Sequence, residues 1–173
     1  MSNDHKSDDN APGRTAKQED FGGFKVGGRT VTINASMEDV LKHLHDLPAL
    51  NLIFGGKLKA TSLANGNLAW QVEGLGESIE TLRVKHGDPE VFSWRSVETA
   101  DTDLEIKLLL RNSPASRGIK VQLLLAWKPR WGTMSSLYAR LRGLDPILLG
   151  RQALKRLKML IETGEIATAE NRR

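Results

Sequence analysis

The sequence predicts an α+β fold in which a curved antiparallel sheet of about six to seven strands wraps around a long C-terminal helix. Three observations carry this reading. Apolar and polar residues alternate in successive segments from Gly56 to Trp127, a short amphipathic helix precedes them from Met37, and an amphipathic stretch runs from about Thr133 to Ile166. Consecutive strands with short connections pair as antiparallel neighbours. A long sheet curled around one helix leaves space at its mouth that side chains do not fill, so the architecture points to ligand binding.

Regular structure is expected to begin at Arg29–Asn34, where Val31 and Ile33 alternate with polar neighbours as in a half-buried strand. Ser36 then stands three residues before Asp39, so its hydroxyl can accept from the Asp39 amide while the acidic side chain favours the positive end of a helix. Met37, Val40, Leu41, Leu44 and Leu47 recur at helical spacing until Pro48 interrupts or restarts the chain, with a second short helix over 49–54.

From Gly55 the period falls to two. Segments Gly56–Leu63 and Leu68–Glu73 read as a hairpin, because Asn65-Gly66 supplies the positive φ of a tight turn. Further strands are expected at about Glu77–His86, Glu90–Val97, Thr102–Asn112 and Gly118–Trp127. Alternation assigns Leu68, Trp70 and Val72 to one inward face, together with Leu82 and Val84, Phe92 and Trp94, Leu104, Ile106, Leu108 and Leu110, and Val121, Leu123, Leu125 and Trp127.

The closing stretch is punctuated. Asp145-Pro146 has the form of an N-cap followed by proline at the first helical position, which divides Thr133–Arg142 from Pro146–Thr163 or kinks one helix between them. Leu137 and Leu141 align on the first segment. Leu149, Ala153, Leu154, Leu157, Leu160 and Ile161 form the apolar arc of the second, Arg151, Lys155 and Lys158 lie on another stripe, and Gly164 is placed to end the helix.

Composition bounds the function. A chain of 173 residues, 39% hydrophobic, supports one sizeable core. The expected division is a disordered tail over 1–24, one folded domain over 25–168 and a short tail over 169–173, since the polar N-terminal segment has too few apolar side chains to offset the entropy of ordering. Phe21 and Phe24, among glycines, are candidates to tether it. There is no cysteine, which excludes disulfides, thiolate metal sites and a cysteine nucleophile. No apolar run reaches the roughly 18 residues a membrane span requires, and no secretory core opens the chain, so a cytoplasmic protein is expected.

The residues also carry a family resemblance. The strand-to-helix start Val31–Ser36, the segment Phe92–Ser96 and the terminal phrase Arg156–Thr168 resemble the polyketide cyclase/dehydrase branch of the START-like (SRPBCC) superfamily, in order over about residues 29–168. The resemblance implies a helix-grip (START-like/Bet v 1-like) fold with a hydrophobic ligand cavity between sheet and helix, and a mostly bacterial branch. Members include aromatic polyketide cyclases, lipid and hormone carriers and quinone-binding proteins. This chain departs from the pattern at Leu104–Arg111, which is richly aliphatic, and at Lys128–Gly132, where relatives have a small-residue connection. Cavity polarity and mouth shape therefore do not transfer with the family.

No phosphate-binding loop, zinc spacing or nucleophile elbow appears, and His43 and His45, two apart on a helix, point to different faces. No cofactor and no metal are expected. The leading expectation is binding or transport of a small apolar molecule, such as a lipid, polyketide or quinone-like compound. Its cavity would be lined by Trp70, Val72, Leu82, Val84, Phe92, Trp94, Ile106, Leu108, Leu123, Leu125, Leu137 and Leu141, with Trp131 and Tyr138 at the mouth.

The alternative is a cyclase or dehydratase acting on an apolar substrate in the same cavity, which requires an ionisable group on its wall. Glu73, Arg83, Arg95, His86 and Tyr138 are the candidates; alternation puts Glu73, Arg83 and Arg95 on the outer surface and His86 inward, leaving His86 and Tyr138. A third reading uses Arg151, Lys155 and Lys158, with Arg140, Arg142 and Arg156 nearby, for peripheral contact with anionic lipid or RNA. Nucleic acid is disfavoured by the scarcity of aromatics among these cations.

Overall fold

Eight strands pair into one antiparallel sheet in the computed structural model, which describes residues 20–21, 24–74, 78–129 and 145–166. The strands are β1 (Asp20–Phe21), β2 (Phe24–Ile33), β3 (Leu58–Ser62), β4 (Leu68–Val72), β5 (Ser78–Val84), β6 (Val91–Ser96), β7 (Thr102–Asn112) and β8 (Ile119–Pro129). Their order is β1-β2-β8-β7-β6-β5-β4-β3, a meander from β3 to β8 closed by the N-terminal strand against the last one. The sheet curls into a half-barrel. Helices α1 (Met37–His45) and α2 (Leu47–Phe54) bridge β2 to β3, and α3 (Pro146–Thr163) packs against β2, β8 and α2.

The local signals act as elementary chemistry dictates. The Ser36 hydroxyl accepts from the Asp39 amide and starts α1. Pro48 restarts the chain rather than ending it, because Asp46 accepts from the Ala49 amide and proline occupies the first turn of α2, where no intrahelical donor is lost. Asp145 caps α3 in the same way by accepting from Ile147, and Gly164 ends it. In the hairpin, Gly66 has φ +84°, and the Asn67 amide donates to the Asn65 side chain.

Strand β2 begins five residues earlier than its alternation suggests. Gly27 and Gly28 carry no side chain to alternate, yet they pair with Leu125 and Leu124 of β8. Gly27 is where α3 meets the sheet: a Cβ there would stand 2.6 Å from Ile147 N and Pro146 C. Only glycine allows that approach.

Edge strand β3 is covered by a side chain. Asn51 of α2 donates to the Ala60 carbonyl at 2.9 Å and accepts from the Ala60 amide at 2.6 Å, satisfying the backbone groups of an otherwise open edge. Helix α3 docks at both its ends of contact. Arg156 lies over Gly55 and donates to the Ile53 carbonyl at the end of α2, while Lys158 donates to the Thr32 carbonyl at 2.7 Å and to Glu162 at 2.8 Å. Two cations of the supposed surface stripe are therefore engaged in docking; Arg151 and Lys155 are exposed.

The core sits on the concave face. Leu104, Ile106, Leu108 and Leu110 of β7 interlock with Val121, Leu123, Leu125 and Trp127 of β8 and with Leu149, Ala153, Leu154 and Leu157 of α3. Leu160 and Ile161, one turn on, are half-buried. Strand β7 alternates without interruption over its buried length, as its sequence implies.

Candidate ligand pocket

Cross-strand register decides which side chains of β5 reach the concave face. Trp70 of β4 lies opposite Ile79, Leu68 opposite Thr81, and Trp94 of β6 opposite Arg83. Because paired residues share a face, Ile79, Thr81 and Arg83 point inward. Leu82 and Val84 point outward: Leu82 lies opposite Arg95 and is 41% exposed, and Val84 lies opposite Ser93. The expectation of Leu82 and Val84 inside and Arg83 outside is thus inverted. Pairing with β4 and β6 sets the parity, which the apolar residues of β5 alone do not decide: Ile79 lies on one face, Leu82 and Val84 on the other.

Where this inner row meets the helices, a pocket of about 260 Å³ remains. Leu44 and His45 of α1, Leu47 and Leu50 of α2, Ser62 and Gly66 of the β3–β4 hairpin, Leu68, Arg83 and Trp94 form its wall. Its floor is rigid. The Trp70 indole N–H donates to the Thr81 hydroxyl at 2.8 Å, and its ring meets Phe54 and Trp94 edge-on at centroid distances of 5.5 and 6.0 Å. Phe92 lies between two polar groups: the His45 ring meets it edge-on at 5.1 Å, and the Arg83 guanidinium carbon stands 4.5 Å from its centroid.

Among the described residues the wall contains a guanidinium and an imidazole but no carboxylate. Glu80, the acid of β5, is held at the hairpin by the side-chain amides of Asn67 and Asn65, which keep its carboxyl below the usual range. Arg83 has neither a hydrogen bond nor an ion pair among the described residues.

Other expected site residues lie elsewhere. Trp70, Val72, Phe92, Ile106, Leu108, Leu123 and Leu125 are buried on the concave face as core, while Trp94 is the member of that set which borders the pocket. His86 is not inward. It is exposed and 2.7 Å from the Ser93 hydroxyl, whose strand position lies on the face opposite Phe92 and Trp94. Glu73 pairs with Lys57, and Arg95 faces Glu105 at 3.6 Å, both at the surface. Leu137, Leu141, Trp131 and Tyr138 fall outside the described residues, as do most of the N-terminal tail and residues 169–173.

Sequence reasoning named Arg83 but placed it on the outer surface, and it missed His45 as a pocket group. Arg83 had a signal in its two-residue spacing from Ile79 and Thr81. His45 follows Leu44 at the end of α1, next to the restart at Asp46, and only the turn between the two helices aims it at Phe92.

Among the described residues no group of three or more His, Asp or Glu converges as metal ligands, and no helix is long and apolar enough to cross a membrane. The chain matches no protein-family model and no curated protein. Solved structures do match. DR_A0006 from Deinococcus radiodurans aligns with a TM-score of 0.63 at 25% identity, over 81% of this chain and 98% of its own. The Aha1 dimer protein from Colwellia psychrerythraea aligns at 0.54 with 14% identity, over 82% and 98%. The Zhui aromatase/cyclase from Streptomyces sp. R1128 aligns at 0.51 with 16% identity, over 83% and 99%. With its curled antiparallel sheet and C-terminal helix, the chain has a helix-grip fold, which these structures share.

Proposed function

We propose that this protein binds or carries a small molecule with an apolar body in the pocket between α1–α2 and the concave face of β4–β6. The observation that supports this most is the 260 Å³ space bounded by Leu44, Leu47, Leu50, Leu68 and Trp94. It lies just under the roughly 300–1,000 Å³ of common small-molecule sites, and it sets four leucines and Trp94 beside polar groups of His45, Ser62 and Arg83. Native mass spectrometry of protein purified from its own host tests the reading. A copurifying apolar compound, lost when Leu68→Trp fills the space, is the expected result; repeatedly empty protein contradicts it.

A cyclase-type reaction in the same pocket is the second reading, favoured by one observation. The imidazole of His45 borders the pocket beside Phe92, where it is placed to move a proton to or from a bound substrate. Turnover of a poly-β-ketone mimic, lost in His45→Ala while ligand binding persists, supports that reading.

A further inference from the structure

We infer that the pocket selects a ligand with a carboxylate at one end of its apolar body, and that Arg83 is the residue that recognises it. This deepens the binding role proposed above and rests on it. The cross-strand partner of Arg83 is Trp94, its ring contact is Phe92, and no carboxylate pairs with it among the described residues. The nearest acid along its strand, Glu80, is already committed to Asn67 and Asn65.

The Arg83 guanidinium lies over the Phe92 ring, which offers no oxygen or nitrogen acceptor to its N–H groups. The contact therefore orients the fork without consuming it. An arginine so held loses less side-chain freedom when it engages an anion than a free one does. Its fork geometry matches the two oxygens of a carboxylate. Behind it the wall is Leu44, Leu47, Leu50, Leu68 and Trp94, which suits a hydrocarbon or ring system and offers no second charge. His45, also in contact with Phe92, adds a further ring nitrogen to the wall and no negative group. An exposed guanidinium, four leucines with Trp94, and no acid among the described lining residues together describe a receptor for an amphipathic acid.

The test is titration calorimetry with octanoate, 1-octanol and methyl octanoate, which share one tail. Octanoate is expected to bind at least about tenfold tighter than the two neutral compounds, the scale of one charge-assisted contact. In Arg83→Gln that preference falls to within about twofold; Arg83→Lys retains part of it, since lysine keeps the charge but loses the fork. Arg83 is exposed, so both variants should melt as the parent does. Equal affinity for acid and alcohol, or a preference that survives in Arg83→Gln, overturns the carboxylate inference and leaves the pocket reading standing. Failure of all three compounds to bind overturns both.

Discussion

The two halves of the sheet are built on different rules. In β2, β7 and β8, under α3, the inward positions from Leu104 to Leu110 of β7 and from Ile119 to Trp127 of β8 are filled apolar sites, and the helix approaches so closely that β2 needs glycine at Gly27. In β4, β5 and β6, under α1 and α2, the inward rows include Thr81 and Arg83, Leu68 is only half-buried, and a pocket remains. Strict alternation accompanies complete packing; broken alternation accompanies space. The polar residues that disturb the pattern in β5 are the ones that reach the pocket or support its floor.

The contrast makes graded predictions. Gly27→Val should cost about 4 kcal/mol, at the far end of point-mutation effects, because its side chain collides with the backbone of Pro146 and Ile147 rather than with a flexible neighbour. Urea unfolding measures it, and a loss below about 1 kcal/mol would mean that α3 does not sit tightly on β2. Next, Leu125→Ala and Leu68→Ala remove the same atoms from the two halves. Leu125 is fully buried and should cost about 3 kcal/mol, whereas Leu68 borders existing space and should cost about 1 kcal/mol. Equal losses would erase the distinction between a filled and an open half.

The smallest effect concerns the anchor of α3. The Glu162 carboxylate accepts from Lys158 and from the Asn34 amide, and these bonds hold its pKa below the ordinary 4.5. A depressed carboxylate value means the unfolded chain takes up the proton first. The contribution of Glu162 is therefore present above the ordinary value and is lost as pH falls through the lowered one. Melting curves on acidification should show a modestly steeper decline for the parent than for Glu162→Gln; identical profiles would remove Glu162 from the docking of α3.

Much of the fold was legible because local chemistry and global topology agreed. The Ser36 cap, the Asp145-Pro146 start, the Gly164 stop and the alternation of Leu104–Leu110 each named their element directly. The site was less so. Whether Leu82 or Arg83 points inward depends on the register of β5 against β4 and β6, a property of pairing rather than of any one strand. His45 reaches Phe92 only because α1 and α2 turn at Asp46, which helical periodicity within α1 does not encode. Alternation over-predicted the cavity for the opposite reason. Ile106, Leu108, Leu123 and Leu125 do face inward, but α3 and their own neighbours fill the space before them.

Chemical-shift mapping of the labelled protein during titration with octanoate tests the central claim most directly. The account predicts that the changes cluster at Leu44, His45, Leu50, Leu68, Arg83 and the Trp94 indole, with Leu110 and Val121 undisturbed. Changes confined to Arg151 and Lys155 on the outer side of α3, or no changes at all, would contradict it.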